Sequence, residues 1–137
     1  MISEKYSHLK FKVMENEYQY ILFDNHEDFK TIVFNFISQN VDFFSFSFKK
    51  EKSLICSSEQ IISNASKVEN GWIGFKIEGQ MPFGTVEGLI ATISSCLFQE
   101  KIGICLVSTF ETDLFLIKKE RAQQAKEILA KAGWSFS

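Results

Sequence analysis

The chain has 137 residues, enough for one ordinary domain or two very small ones, and its 45% apolar content, with 15 Phe, is ample for a packed core. A formal net charge of −2 gives no general attraction for nucleic acid or for an anionic membrane surface. No apolar run approaches the roughly 18 residues of a membrane span, and the N-terminal residues show no hydrophobic signal core, so we expect a cytoplasmic protein without a membrane partner.

Few side chains in the sequence stand in patterns typical of catalysis or metal binding. Cys56, Cys96 and Cys105 are odd in number and widely spaced in apolar surroundings, which favours reduced thiols over disulfides. His8 and His26 lie in no nucleophile or metal-binding motif, no Cys/His spacing fits zinc, and no phosphate-binding or dinucleotide fingerprint is present. The sequence therefore predicts no enzyme activity, no catalytic residue, no metal site and no cofactor.

The N-terminal half begins with two extended runs and a helix. Residues 8–13 alternate apolar and charged side chains, and residues 18–23 form the second run. Residues 24–28 supply a cap and acidic side chains for the first turn of a helix. Its apolar stripe consists of Phe29, Ile32, Val33, Phe36 and Ile37.

Two strands and a short helix are predicted next. Phe44, Phe46 and Phe48 alternate with serines, which predicts a strand with one buried apolar face. A charged turn follows, the chain returns as a strand at residues 54–56, and residues 57–65 are predicted to contain a short helical segment.

The C-terminal half repeats this order. A strand over residues 72–77 precedes a helix, and a β-hairpin is predicted from two apolar runs, residues 102–107 and 114–117. The hairpin connection contains no Asn-Gly or Asp-Gly, so we expect a loop longer than two residues. A last helix ends at Gly133 as C-cap, before a closing strand at residues 134–136. The apolar faces of the two helices are Val86, Leu89, Ile90, Ile93 and Leu97, then Ala122, Ala125, Ile128, Leu129 and Ala132.

Strand, helix, strand, strand, helix is the order of a ferredoxin-like α+β fold, and it occurs in both halves. We interpret the chain as a tandem of two βαββα units, residues 1–67 and 68–137. Sequence identity between the halves is slight, so the interpretation depends on the order of elements. The single proline, Pro82, and the lack of a Ser/Gly-rich tract argue against a flexible linker.

Residues 108–117, Ser-Thr-Phe-Glu-Thr-Asp-Leu-Phe-Leu-Ile, resemble the Ser-Thr-aromatic-x-Thr-Asp-strand signature of ACT-like domains. These domains are related to the regulatory domains of aspartate kinases and to the CASTOR arginine sensors. The similarity extends through residues 82–85, the following helix and residues 101–104, and more weakly to residues 43–55 and 8–13. It implies a degenerate ACT-like unit in residues 1–67 and a second unit in residues 68–137, with a soft boundary because related tandems can exchange strands.

The resemblance also implies a non-catalytic regulatory module that binds a small molecule, a free amino acid above all. In ACT domains the loop before the helix and the start of the next strand commonly line an effector site at an interface. We expect the ligand carboxylate at the backbone N–H groups of the helix start, and its ammonium at Asp113 or Glu78. The residues implied to bind ligand are Gln80, Met81, Phe83, Gly84, Thr85, Lys101, Ile102, Gly103, Ile104 and Asp113.

Each of these features also has a purely structural interpretation. Gly79 and Gly84 fit a tight turn equally well, and the polar residues of segment 108–113 bond readily to nearby backbone without any ligand. Gly103 stands where the arginine sensors have serine, which disfavours arginine as the ligand. A side-chain pocket lined by Met81, Phe83 and Ile104 would suit an apolar or mixed ligand. The alternative function is therefore a structural or protein-interaction domain whose effector site has degenerated.

Three expectations concern partners. Two copies of the chain would reproduce the four ACT-like units of the resembled sensors, and unpaired sheet edges invite pairing, so we expect a homodimer. Because no output domain is recognised, a separate effector protein is the expected recipient of any signal. Residues 71–77 superficially resemble an RNA-binding signature, but only one basic residue accompanies them, so we expect no nucleic acid partner.

Overall fold

The computed structural model describes residues 6–79 and 88–137, which fold into two compact units. One unit consists of Met1–Glu15 with Trp72–Ser137, and the other of Asn16–Gly71. The elements in chain order are β1 (Lys10–Phe23), α1 (His26–Ser38), β2 (Phe43–Phe48), β3 (Glu51–Ser57), β4 (Lys67–Glu78), α2 (Leu89–Phe98), β5 (Cys105–Ser108), β6 (Asp113–Lys118), α3 (Lys119–Lys131) and β7 (Ser135–Phe136).

The first unit, Met1–Glu15 with Trp72–Ser137, is built on a largely antiparallel sheet. Strand β4 lies between β1 and β6, and β5 pairs with the other edge of β6. Phe115 of β6 lies opposite Phe75 of β4 and Leu106 of β5. The short β7 runs parallel to the start of β1, pairing Phe136 with Phe11. This arrangement confirms the predicted hairpin and the closing strand.

Helices α2 and α3 cover the core of the first unit. Leu89, Ile93 and Leu97 of α2 and Ala125 and Leu129 of α3 are buried. The other α3 members, Ala122, Ile128 and Ala132, are partly buried against the same core. Both predicted stripes are thus confirmed at their described members except Ile90, which is 47% exposed. Gly133, with φ of 109°, follows α3 in the left-handed region that ends many helices. The aromatic residues of this core are Tyr6, Phe11, Phe75, Phe115 and Trp134.

The second unit, Asn16–Gly71, packs α1 on the strand order β2-β3-β1. The Asn25 side chain accepts a hydrogen bond from the Asp28 backbone N–H at 3.1 Å, so the predicted capping segment is confirmed. Phe29 and Phe36 of α1 are buried against the sheet. The core consists of Ile21, Phe23, Phe29, Phe36, Leu54 and Cys56.

Three details of the N-terminal half differ from the sequence interpretation. The two extended runs are one strand, β1, which continues through the polar residues between them. Residues 58–66 form turns instead of a helix. The amide nitrogen of Gln19 donates to the carbonyl oxygens of Ser57 and Gln60, and Asn64 has φ of 62°, which no right-handed helix accommodates.

The third difference concerns the phenylalanine face of β2. Phe43 packs on α1, so Phe44, Phe46 and Phe48 point to the opposite side of the strand. Phe46 is 39% exposed and Phe48 is 63% exposed, so the prediction that this face is buried was wrong. The alternation shows that the two faces of β2 differ, but α1 packs on the face that carries fewer phenylalanines.

Candidate functional site

Half of the residues implied to bind ligand can be located. Gln80, Met81, Phe83, Gly84 and Thr85 lie outside the described residues, as does Val86 of the predicted helix stripe. The described members are Lys101, Ile102, Gly103, Ile104 and Asp113.

A turn at residues 99–101 closes the C-terminal end of α2, and residues 102–104 lead from it to β5. The backbone N–H of Lys101 donates to the Phe98 carbonyl at 2.8 Å, and that of Ile102 donates to the Leu97 carbonyl at 3.1 Å. Lys101 has φ of 56°, which reverses the chain direction after the helix. Strand β5 therefore begins at Cys105, three residues later than predicted, because the backbone of Ile102 serves the helix end and not the sheet.

This turn directs two isoleucines toward the body of the unit. Ile102 is 5% exposed within the core, and Ile104 is half-buried against the same core. Both line a surface groove of about 610 Å³ at the C-terminal end of α2. A groove of this size is within the usual range for small-molecule sites. The other residues that line it are Ser94, Ser95, Phe98 and Gln99.

The groove is apolar on its isoleucine and phenylalanine side and carries hydroxyl and amide groups from α2. It has no charged side chain among its lining residues. Such a surface suits an apolar or uncharged side chain better than a guanidinium, since a cation would find no carboxylate partner there. Lys101, Gly103 and Asp113 do not line it.

Gly103 is exposed and its substitution would meet no steric obstacle. A Cβ built at this position has no neighbouring atom within 4 Å, and its φ lies outside the left-handed region. The glycine is therefore not required by the backbone. A larger side chain at this position would extend into open space.

Asp113 is engaged within its own hairpin. The Ser108 hydroxyl donates to Asp113 Oδ1 at 2.5 Å, and the loop between β5 and β6 is closed by the Thr109 N–H donating to the Thr112 carbonyl at 2.8 Å. The Thr112 N–H donates to Thr109 Oγ1 at 3.1 Å. These hydrogen bonds explain the Ser-Thr-x-x-Thr-Asp segment as one that closes the hairpin. The Asp113 carboxylate can still accept further hydrogen bonds.

Glu78, the other carboxylate considered for a ligand ammonium, lies at the end of β4. Its Oε1 accepts a hydrogen bond from the Ser137 hydroxyl at 2.9 Å. Neither Glu78 nor Asp113 lines the groove at α2. The structure thus brings Ile102 and Ile104 together in one groove and leaves the two carboxylates outside it.

A second groove, of about 720 Å³, lies between α2 and α3. It includes the half-buried thiol of Cys96 and shares Ser95 and Gln99 with the first groove. No residue implied to bind ligand lines it. Its full lining is Ala91, Thr92, Ser95, Cys96, Gln99, Glu100, Ile128, Lys131 and Ala132.

The three cysteines are free thiols, as predicted. Burial raises the pKa of Cys56 to about 11, although the hydrogen bond from Gln19 acts in the opposite direction. Burial, and secondarily the charge of Asp42, raises the pKa of Tyr18. Both shifts favour the neutral form, so neither group is an activated nucleophile.

Within residues 6–79 and 88–137, no group of three or more His, Cys, Asp or Glu side chains is placed to hold a metal ion. Across those residues, no helix combines the length and apolar character needed to cross a bilayer.

Sequence reasoning missed the α2 contribution to the groove. Ser94, Ser95 and Gln99 carry no motif that would have singled them out. Phe98 did carry a signal, because it is a large apolar residue outside the predicted apolar stripe, and it is 76% exposed. Phe98 lines the groove together with Ile102 and Ile104, so it is not an isolated apolar residue on the surface.

Comparison with known proteins identifies the C-terminal part of the chain. The sequence profile of the ACT domain matches residues 67–131. A search of curated proteins finds no match.

Solved structures share the fold over nearly the whole chain. A protein of Agobacterium tumefaciens is 23% identical, covers 95% of this chain and 92% of its own, and superposes with a TM-score of 0.74. The regulatory subunit of aspartate kinase from Thermus thermophilus is 8% identical, with 90% and 96% covered and a TM-score of 0.62. Aspartate kinase from Synechocystis is 16% identical over 96% of this chain and 28% of its own, with a TM-score of 0.68.

Proposed function

Because residues 67–131 belong to the ACT domain family, we propose that this protein is a non-catalytic regulatory module that binds a free amino acid. The observation that carries the proposal is the groove at the end of α2, which Ile102 and Ile104 line from the turn implied to bind ligand. Its uncharged lining supports an apolar or mixed amino acid over arginine. The implied carboxylate-binding loop, residues 80–85, remains part of the proposal on sequence grounds.

We further propose that the chain is a tandem of two ACT-like units, with a sequence boundary near residues 67 and 68. The grouping of Met1–Glu15 with Trp72–Ser137 supports an exchange of the first strand, as in related tandems. The irregular segment 58–66 takes the place of the second helix in the N-terminal unit. That unit is accordingly the degenerate member of the pair.

The proposed assembly is a homodimer in the cytoplasm that signals through a separate effector protein. Two copies would supply four ACT-like units. Light scattering at micromolar concentration is expected to give twice the chain mass of 15.8 kDa. A mass equal to one chain across the accessible concentration range would contradict the dimer.

Ligand binding is tested by thermal shift with each of the twenty amino acids. A ligand that binds only the folded state adds about 2.7 kcal/mol of stability at a hundred times its Kd. For a chain of this size that corresponds to a rise of several degrees in Tm. We expect a rise with one or a few apolar or mixed amino acids and none with arginine.

The matched variant is Phe98→Ala, which removes an exposed aromatic side chain that lines the groove. It is expected to abolish the ligand-induced shift while leaving the ligand-free Tm close to that of the parent. Thr31→Val, at an exposed position of α1, is the control and should retain the shift. If no amino acid at millimolar concentration raises Tm, the sensing function is wrong and the interaction-domain function takes its place.

A further inference from the structure

A cavity of about 470 Å³ lies at one end of the second unit, Asn16–Gly71. It is formed where β1 leads into α1 and where a turn joins β2 to β3. The sheet register places Lys52 of β3 opposite Phe23 of β1, which brings two segments far apart in sequence together. The volume is within the usual range for a small-molecule site. The residues that line the cavity are Leu22, Phe23, Asp24, His26, Lys49, Lys50, Glu51 and Lys52.

Basic side chains are in the majority in this cavity, although the chain as a whole has a net charge of −2. Three lysines and one histidine line it, against two carboxylates. The Lys52 ammonium donates to the Phe48 carbonyl, which holds it beside the turn. Within the described residues, no carboxylate forms an ion pair with Lys49 or Lys50. Their charges are therefore available to a ligand.

The two carboxylates of the cavity lie on different sides of the sheet. The Ser53 hydroxyl donates to Glu51 Oε2 at 3.0 Å, and these two residues of β3 share one face because they are two positions apart. Lys52 lies on the other face, opposite Phe23, which belongs to the core under α1. Asp24 comes directly after Phe23. It is therefore the carboxylate on the α1 side of the cavity.

The turn between β2 and β3 has a composition that hairpin chemistry does not explain. Phe48 pairs with Glu51, so the loop consists of two residues, Lys49 and Lys50. Two-residue loops favour Asn, Asp or Gly with positive φ, whereas neither lysine has a positive φ. Adjacent ammonium groups also repel each other. Residues that break a local rule are expected at functional sites, so the two lysines indicate a role beyond closing the hairpin.

The start of α1 is already capped and adds little to the attraction for an anion. The Asn25 side chain accepts from the Asp28 N–H at 3.1 Å, and the Asn25 carbonyl accepts from the Phe29 N–H at 3.2 Å. Glu27 and Asp28 place negative charge in the first turn. Binding of an anion in this cavity therefore depends on the lysine side chains.

We propose that this cavity binds an organic phosphate, with the phosphate group at Lys49, Lys50 and Lys52 and a ligand hydroxyl at Asp24. Each ammonium group carries three donors, and its hydrogen bonds to phosphate oxygens are strengthened by charge. The Asp24 carboxylate repels a bare anion but accepts a hydrogen bond from a hydroxyl. Half-buried Leu22 offers apolar surface to the carbon atoms of the ligand. The site belongs to the second unit and takes a different class of ligand from the groove at α2.

The first test is a titration of the ¹⁵N-labelled full chain with ribose 5-phosphate at constant ionic strength, followed by NMR. We expect saturable shifts concentrated in the amide signals of residues 22–26 and 49–52. The double variant Lys49→Gln with Lys50→Gln should raise the Kd about tenfold. Lys30→Gln with Lys67→Gln is the matched control, because it makes the same charge change in the same unit outside the cavity. It should change the Kd less than twofold, since distant exposed charges are screened.

The second test compares ribose 5-phosphate with inorganic phosphate in the parent chain and in Asp24→Ala. The parent is expected to bind ribose 5-phosphate more tightly, because its hydroxyl groups can donate to Asp24. Asp24→Ala should remove this preference and bind inorganic phosphate more tightly than the parent does, since a like charge is lost. Asp42→Ala, at an exposed position of the same unit outside the cavity, is the control and should keep the preference.

Several results would overturn the site. Shifts that do not saturate, shifts spread over the whole surface, or equal losses in the two double lysine variants would show only a general effect of charge. Equal affinity of the parent for both probes would mean a site for a free anion and would overturn the organic ligand. If the lysine variant fails to fold, the positions of the shifts in the parent decide. The amino acid screen addresses the groove at α2, so either proposal can fail without the other.

Discussion

At the scale of single residues, the buried side chain of Gln19 explains why the segment after β3 is irregular where a helix was predicted. It is 5% exposed, and its amide nitrogen donates to the carbonyl oxygens of Ser57 at 3.0 Å and Gln60 at 2.9 Å. It also contacts Cys56 Sγ at 3.6 Å. These bonds hold the irregular segment after β3 in place, because buried carbonyl groups need a donor.

Replacing Gln19 with alanine is expected to destabilise the protein by about 1–3 kcal/mol, since it removes the donor from two carbonyl groups. Urea denaturation measures the change. Gln123→Ala is the control, because Gln123 is exposed on α3 and bonds only to Glu127 among the contacts described for its amide nitrogen. A loss for Gln19→Ala no larger than that for Gln123→Ala would contradict the anchoring role.

The thiol of Cys56 predicts a dependence of stability on alkaline pH. Its pKa is about 11 in the folded chain against 9.0 for an unperturbed thiol. The unfolded state therefore loses its proton first, so the contribution of the neutral thiol is complete below pH 9 and is lost as the pH rises toward 11. The amount is at most about 3 kcal/mol.

The measurement compares Tm between pH 8 and pH 11 in the parent chain and in Cys56→Ala. Both proteins will lose stability as other groups titrate, including Tyr18, whose pKa is also raised. The parent is expected to show the steeper fall. Equal slopes in the two proteins would mean that Cys56 does not contribute.

At the scale of elements, local signals were strongest where a cap and an apolar stripe coincide. Helix α1 begins where Asn25 accepts from Asp28 and carries acidic residues in its first turn. Strand bounds were less predictable, because β1 continues through polar residues and β5 starts late. The bounds of β1 and β5 depend on pairing with other strands and on the backbone hydrogen bonds that close the end of α2. Neither can be read from local composition.

The cap can be tested directly. Asn25→Ala removes the acceptor for the Asp28 N–H and is expected to cost about 1 kcal/mol of stability. Asn35→Ala is the matched control, because Asn35 is exposed in the middle of the same helix, where alanine is the better helix former. The cap assignment would be wrong if the two substitutions changed stability in the same direction by similar amounts.

At the scale of the whole molecule, the first compact unit is discontinuous in sequence. Residues 6–15 bring Tyr6, Leu9 and Phe11 into the same core as Phe75 and Phe115. Burying each such side chain contributes about 1.5–3 kcal/mol, and a typical domain has only about 5–15 kcal/mol of net stability. We therefore expect the C-terminal unit to need the N-terminal segment in order to fold.

A fragment of residues 68–137 is expected to lack a cooperative thermal transition by circular dichroism. Adding a peptide of residues 1–15 should restore one, because it returns Leu9 and Phe11 to the core. The same peptide with Phe11→Ala should restore much less, since truncating a buried phenylalanine costs about 3–5 kcal/mol. Cooperative unfolding of the fragment alone would show that the sequence boundary near residue 67 also separates independent folding units.

The sequence by itself determined the α+β class, the order of elements from Trp72 onward, the capped α1 and the ACT resemblance of the C-terminal part. These follow from local periodicity, capping and one motif, which neighbouring residues encode together. Tertiary structure alone decided which face of β2 is covered, that residues 58–66 are irregular, and that Ile102 and Ile104 share a groove with α2. Those outcomes depend on contacts between residues far apart in sequence, where burial and hydrogen-bond satisfaction override local preference.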